Sequence, residues 1–218
     1  MSDMRTEEEQ VEALKNWWKE NGKSLLLTIA LALAVVFGWK GWQNNQRITA
    51  ENAAVMYQNL VQAVALASAP QATDDQRTTA SHLAKTLKDE YGSTAYAHFG
   101  ALFSARLLVD ANDYPAALNE LDWVLAESQD SVMKTIASMR KARVMAAMGD
   151  ADKAVALLDG LKEPSFSVSV AELKGDLYLQ MGETDKARSA YQSAVGDAPQ
   201  GGRPLLNLKL DSLAVKGS

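Results

Sequence analysis

The side chains that could carry metal or acid–base chemistry are few in this chain of 218 residues. It has two histidines, His82 and His98, and no cysteine. Neither histidine lies in a His-Glu-x-x-His or comparable metal-ligand pattern, and the carboxylates fall at positions typical of helix caps and solvent-facing surfaces. The sequence also lacks a Gly-x-Ser-x-Gly elbow and a glycine-rich dinucleotide turn. We therefore expect a protein that is not an enzyme, with no catalytic residue, no metal site and no cofactor.

The segment Gly22-Lys23-Ser24 has the ending of a phosphate-binding loop. That motif needs another glycine five residues before Gly22, where this chain has Trp17, and it needs a preceding strand. We interpret the match as chance. The chain carries 27 acidic against 22 basic residues and no basic stripe, so nucleic acid is also excluded as an expected partner.

The sequence offers better candidates for a binding site than for a catalytic site, namely charged side chains at matching positions of an internal repeat. Arg106, Arg143 and Asp176 each follow a small residue at equivalent points of three similar segments. Two stacked arginines could hold a carboxylate, because guanidinium donors match it with two hydrogen bonds. The simpler interpretation is that each arginine pairs with a nearby acid, such as Asp110 one turn after Arg106. Two apolar residues one turn earlier are the predicted floor of the same groove: Leu102 and Met139.

The elements that would position these residues are helical hairpins. The anchor alanines Ala117, Ala154 and Ala187 lie 37 and 33 residues apart, close to the 34-residue tetratricopeptide period. Two antiparallel helices approach closely only where one presents a very small side chain. Such a residue lies twelve positions before each anchor: Ala105, Ala142 and Gly175. Larger packing residues follow at regular offsets: Leu108, Met145 and Tyr178, then Leu121, Leu158 and Tyr191.

Turn and cap residues support the same hairpins. Gly149 and Gly182 are expected to reverse the chain after a first helix. Three residues can cap the second helices: Asp113, Asp150 and Thr184. Pro199 lies where the consensus proline closes a second helix. A less regular hairpin is predicted before the repeats, with helices over 49–67 and 76–90, and a final helix Leu205–Leu213 is predicted to cap the stack.

A different kind of helix is predicted near the N-terminus. Residues 25–39 contain one polar side chain, Thr28, and lysines flank the run at Lys23 and Lys40. Trp39 and Trp42 suit a membrane interface, so we interpret 24–42 as an uncleaved signal-anchor helix. The alternatives are a buried helix of a soluble protein and a cleaved signal peptide. Within the span, small residues recur every fourth position and could pack against another membrane helix: Ala30, Ala34 and Gly38.

Orientation follows from the lysines and arginines beside the span. Four precede it and two follow it within a similar distance: Arg5, Lys15, Lys19 and Lys23, against Lys40 and Arg47. This bias places the N-terminus in the cytoplasm. Residues 43–218 are then periplasmic, if the cell is a Gram-negative bacterium, and the protein spans the inner membrane once.

The head, residues 1–23, is predicted to form its own short amphipathic helix. Thr6 and Glu9 have the spacing of a capping box, and an apolar face follows in Val11, Leu14, Trp17 and Trp18. Asn21-Gly22 predicts a left-handed stop. This helix is expected to lie in the headgroup plane, with docking on a membrane protein as the alternative. The predicted fold class is therefore all-α: one transmembrane helix followed by a tetratricopeptide-like solenoid.

The segments Gln10–Lys23 and Gly38–Gln43, with the anchor and repeats, resemble the YfgM-type proteins over essentially the whole chain. The resemblance implies an ancillary subunit of the SecYEG translocon, associated with the periplasmic chaperone PpiD, that assists exported proteins. It implies no catalytic residues. Another function class uses the same architecture, namely a general envelope scaffold in cell-wall or division assemblies. Cytoplasmic signalling through the head is a third.

Overall fold

The computed structural model describes residues 7–197 and 204–215, and these residues are helical without a strand. The predicted all-α class is therefore confirmed. The α-helices follow one another in chain order: α1 (Glu7–Ala67), α2 (Asp74–Tyr91), α3 (Ala95–Asp110), α4 (Tyr114–Glu127), α5 (Ser131–Ala147), α6 (Ala151–Asp159), α7 (Ser167–Gln180), α8 (Thr184–Asp197) and α9 (Pro204–Val215). A 3₁₀ turn, Pro164–Phe166, precedes α7.

The chain divides into two compact units, Met1–Glu51 and Asn52–Ser218. In the first unit, the described residues belong to α1, whose apolar stretch is long enough to cross a membrane by length and composition. Large apolar side chains from Leu25 to Trp42 are exposed there, as expected for a surface that meets lipid rather than a protein core. The second unit contains the remaining helices and their cores.

The predicted break between head and anchor is wrong, because α1 runs from Glu7 to Ala67 without interruption. The side chain of Asn21 donates a hydrogen bond to the carbonyl oxygen of Trp17 (3.1 Å), and the Trp18 indole packs beside Gly22. A helix end here would leave carbonyl groups without partners next to an apolar stretch, which outweighs the ~1 kcal/mol that a glycine costs inside a helix. A separate head helix is therefore not formed.

The three predicted hairpins are confirmed as α3–α4, α5–α6 and α7–α8. The predicted small residues and anchor alanines at the crossings are all buried. Gly175 is a close crossing, because a Cβ atom built there would overlap Cε1 of Tyr191. Each hairpin packs on the next, so α4 contacts α5 and α6 contacts α7. The helices therefore form a stack of neighbouring pairs, as expected for a solenoid.

Left-handed residues end the first helix of each hairpin: Asn112 (φ 61°), Gly149 (φ 92°) and Gly182 (φ 78°). The prediction for both glycines is confirmed. Asp113 caps α4 by accepting a hydrogen bond from the Ala116 amide (3.2 Å).

The other two predicted caps differ in detail. Asp150 occupies the N-cap position of α6, but its carboxylate pairs with Lys153 (2.9 Å) instead of the backbone. Thr184 is wrong as a cap, because it is the first residue of α8 and the Glu183 carbonyl accepts the Ala187 amide (2.9 Å).

The less regular hairpin is formed by the end of α1 and by α2, around a core that includes Ala53, Leu60 and Leu87. Helix α2 begins at Asp74, two residues earlier than predicted. Thr73 and Gln76 form a reciprocal capping box there, which satisfies two amides at the start of the helix.

Helix α9 closes the apolar end of the stack, as predicted. Leu206 and Leu213 are buried against Ala187, Tyr191 and Ala194 of α8. Two residues used in the predictions, Thr6 and Pro199, lie outside the described residues.

An ionic cluster ties α9 to α7 and α8. Lys209 Nζ donates to Glu172 Oε1 (2.9 Å) and to both Asp176 oxygens (2.7 and 3.0 Å). The Tyr191 hydroxyl donates to Asp176 Oδ1 (2.7 Å). Burial raises the pKa of Tyr191, and the hydrogen bond to Asp176 and the nearby carboxylate charges raise it further. The cap therefore depends on a neutral tyrosine beside a paired carboxylate.

We predict that Gly175→Ala destabilises the second unit by about 1–3 kcal/mol, because the new methyl group must displace the Tyr191 ring. Urea unfolding of the full-length protein in maltoside micelles, followed by circular dichroism, measures this. Gly196→Ala is the matched control, since its Cβ would meet no atom within 4 Å. An equal effect of both substitutions would contradict the close crossing.

We predict that Tyr191→Phe destabilises the protein by about 1–2 kcal/mol near neutral pH, because a hydrogen bond to a carboxylate is lost. An unfolded tyrosine ionises near pH 10, whereas folded Tyr191 stays neutral to higher pH. Stability from this group is therefore complete below about pH 10 and is lost as the pH rises. The difference in unfolding free energy between wild type and variant should shrink above pH 10; a constant difference would contradict this assignment.

Candidate functional site

The candidate site is a groove of about 320 Å³ between the first helices of two successive hairpins, α3 and α5. We call it the arginine groove. Three arginines lie along it, over an apolar floor. Its lining residues are Ala105, Arg106, Val109, Leu121, Arg140, Arg143, Val144 and Ala147.

The three arginines differ in their internal partners. Arg106 Nε donates to both oxygens of Asp110 (3.2 and 3.0 Å), which is the simpler pairing considered from the sequence. Arg140 Nη1 donates to the carbonyl oxygen of Leu102 (2.9 Å), which ties α5 to α3. Arg143 makes no hydrogen bond or ion pair with any part of the chain that the structure describes.

The groove concentrates positive charge. The pKa of Arg140 is lowered by loss of solvent and then by the charges of Arg143 and Arg106. The guanidinium stays charged at neutral pH, since an arginine pKa lies far above 7. Repulsion among like charges is relieved when an anion enters such a site. Asp110 offsets one of the three charges, through Arg106.

The residues predicted as the apolar floor lie deeper than expected. Leu102 is 3% exposed and Met139 is 6% exposed, so both belong to the core. The reason is the stacking of the repeats: Met133 and Ala137 of α5 join the core around Leu102. Leu173 and Leu177 of α7 do the same around Met139. The floor that a ligand could touch is formed instead by Val109 and Ala147, with the buried Val144 beneath them.

Asp176, the third predicted groove residue, is engaged within the protein. It accepts hydrogen bonds from Tyr191 of α8 and from Lys209 of α9, and the charge of Lys209 balances its own. The structure therefore groups Arg106 with Arg143 and places Asp176 in the ionic cluster of α9.

The sequence reasoning missed Arg140, although a usable signal was present. Arg140 lies three residues before Arg143, and residues at this spacing share one face of a helix.

An aromatic cluster on α1 and α3 was missed as well. The ring of Tyr57 lies 5.5 Å from Tyr96, 5.8 Å from Phe99 and 6.2 Å from Phe103, with tilted geometry. Phe99 is 38% exposed, whereas the other three rings are half-buried. Phe103 lies three residues before Arg106 on α3, so the cluster adjoins the arginine groove.

His98 is packed within the repeat domain, whereas His82 is exposed. His98 is 8% exposed, and its ring lies 5.5 Å from that of Trp123. Burial lowers the pKa of His98, so it is neutral at neutral pH. Within residues 7–197 and 204–215, no group of three or more histidines and carboxylates could hold a metal ion.

The predicted small-residue stripe lies on the exposed surface of the apolar stretch of α1. Ala30, Ala34 and Gly38 follow one another at intervals of four residues, which places them on one face of the helix. A Cβ atom at Gly38 would meet no atom within 4 Å.

The chain matches the family model of the tetratricopeptide repeat-like domain over residues 15–215, which confirms the predicted repeat fold. A solved structure of MamA from Desulfovibrio magneticus RS-1, residue 41 to its end, is similar with a TM-score of 0.55. The similarity covers 78% of this chain and 85% of that chain at 17% identity, and it shows the fold alone.

Relatives named ancillary SecYEG translocon subunit are similar over nearly the whole chain. The protein of Escherichia coli (strain K12) is 31% identical over 216 residues, covering 99% of this chain and 100% of the relative. The protein of Neisseria gonorrhoeae is 32% identical over 209 residues, covering 95% and 97%. The protein of Haemophilus influenzae is 29% identical over 207 residues, covering 95% and 97%.

Proposed function

The chain belongs to the family of the ancillary SecYEG translocon subunits, and from this premise we propose that it is a non-enzymatic, membrane-anchored adaptor of the translocon. The observation that carries the proposal is the similarity over the full length, which includes both the apolar stretch and the repeats. A solenoid of helical hairpins suits this role, because its stacked first helices offer an extended surface to other proteins.

We further propose which segments of the chain lie on each side of the membrane. Residues 1–23 lie on the cytoplasmic side, 24–42 cross the inner membrane, and 43–218 work in the periplasm. The excess of lysine and arginine before the span supports this orientation. In the periplasm, the repeats would hold a PpiD-type chaperone near proteins that leave the channel.

Contacts with the partners would be shared between the two units. In the span, Ala30, Ala34 and Gly38 would allow a helix of the translocon to approach closely. In the repeat domain, Arg106 and Arg143 would contact a partner directly, while Leu102 and Met139 would support the groove from the core. Asp176 would act indirectly, by holding the cap helix.

We predict that the intact protein, purified from native membranes in mild detergent, carries SecYEG with it. Ala34→Leu and Gly38→Leu together should reduce the recovered SecYEG several-fold, because the larger side chains keep the helices apart. Ala32→Leu is the matched control, since it lies two residues from Ala34 and faces away from the stripe. Quantitative mass spectrometry measures the recovery. Cell-wall synthases or division proteins in place of SecYEG would favour the envelope scaffold.

We predict that alkaline phosphatase fused after the last residue is active in cells, because this reporter folds in the periplasm. A cytoplasm-specific fluorescent reporter at the same position should stay dark. The opposite pair of results would reverse the proposed orientation.

A further inference from the structure

We propose that the arginine groove binds an acidic segment of a partner protein, in which an aspartate or glutamate side chain is held by Arg140 and Arg143. A neighbouring apolar side chain of the same segment rests on the aromatic cluster of Tyr57, Tyr96, Phe99 and Phe103. The inference rests on the proposed adaptor function and specifies the chemistry that its partner must present.

The charge of the groove selects an anion. Three guanidinium groups line it, and Asp110 neutralises one of them through Arg106. The whole chain has a net charge of −5, so its average field repels acidic segments. Attraction is therefore local to this groove, which favours a specific contact over general adhesion.

Arg143 is the arginine most available to a ligand. It is exposed, and it has no hydrogen bond or ion pair with the described parts of the chain. Arg140 is held in place by the Leu102 carbonyl through Nη1. One guanidinium is thus positioned in advance and the other is free, so a carboxylate gains charge-assisted hydrogen bonds without breaking an internal ion pair.

The floor and the aromatic cluster select an apolar neighbour for that carboxylate. Val109, Val144 and Ala147 line the groove itself. Phe99 is the most exposed ring of the adjoining cluster and lies seven residues before Arg106 on α3. Seven helical residues span about 10.5 Å, which corresponds to about three residues of an extended chain. Arg143 stands at the same repeat position on α5 as Arg106 on α3, so the segment has its apolar side chain at least about three positions from the carboxylate that Arg143 holds.

An equivalent position along the stack does not offer the same chemistry. On α7, Asp176 stands where α3 and α5 have Arg106 and Arg143, and it is already balanced by Lys209. Among the described residues at this repeat position, the uncompensated charge thus lies between α3 and α5. This limits the occupant to a short segment rather than a long acidic tail.

The test uses a short synthetic peptide and the full-length protein in uncharged maltoside micelles. The probe is acetyl-Leu-Phe-Ser-Ser-Glu-Glu-Ser-amide, with 4-fluorophenylalanine in place of phenylalanine. Binding is followed by the ¹⁹F resonance, with empty micelles as the reference for partitioning. Two further peptides carry glutamine in place of both glutamates, one amidated and one with a free terminal carboxylate.

We expect saturable binding of the acidic peptide that weakens with salt, and about tenfold weaker binding of the amidated glutamine peptide. Arg143→Ala should lower the affinity for the acidic peptide about tenfold, and Arg143→Lys should recover part of that affinity. Phe99→Ala should lower the affinity of the protein for all three peptides. Arg77→Ala on α2 is the matched control and should change nothing, because Arg77 lies outside the groove lining. Unchanged thermal unfolding of Arg143→Ala would show that the variant folds.

Equal binding of the acidic and the amidated glutamine peptide would overturn the proposal, as would full binding to Arg143→Ala. Preference for the free terminal carboxylate alone would overturn the assignment to a side chain. Peptide binding and recovery of SecYEG are independent measurements. A protein that binds the acidic peptide but never carries SecYEG would contradict the adaptor function and leave the groove chemistry standing.

Discussion

Close approach of the two helices within each hairpin is the constraint on which the rest of the structure depends. At every crossing, a buried alanine or glycine of the first helix stands near a fully buried alanine of the second. At Gly175 even a methyl group would collide with the Tyr191 ring. Because each hairpin is drawn together in the same way, successive first helices follow one another at a regular spacing. The faces they turn away from the crossings become a continuous surface.

The functional character of that surface comes from unequal charge compensation. On α7, the carboxylate of Asp176 is paired with Lys209 and Tyr191, so this part of the stack is closed by its own cap helix. On α3 and α5, three arginines face one carboxylate. The same repeat position therefore stabilises the protein in one hairpin and is available for binding in another. The difference lies in the charged side chains that the neighbouring helix contributes.

Much of the fold could be predicted because its signals are local or periodic. The spacing of Ala117, Ala154 and Ala187 fixed the hairpins, and glycine at 149 and 182 fixed two turns, since a left-handed residue is needed there. The family resemblance read from the head and anchor is confirmed by relatives of 28–32% identity. Local signals failed where context decides: Asn21-Gly22 has the chemistry of a helix end, yet α1 continues through it. The surroundings of Arg140 and Tyr57 could not be predicted, because their partners come from other helices.

The bond from Arg140 to the Leu102 carbonyl joins two successive repeats through a side chain that also lines the groove. A ligand that draws Arg140 away from the Leu102 carbonyl would therefore also loosen a bond that holds the two repeats together. A ligand that favours one spacing must shift the stack toward it, and any force that changes the spacing must alter the affinity by the same free energy. A force that separates these two repeats would thereby change the affinity of the groove for its ligand.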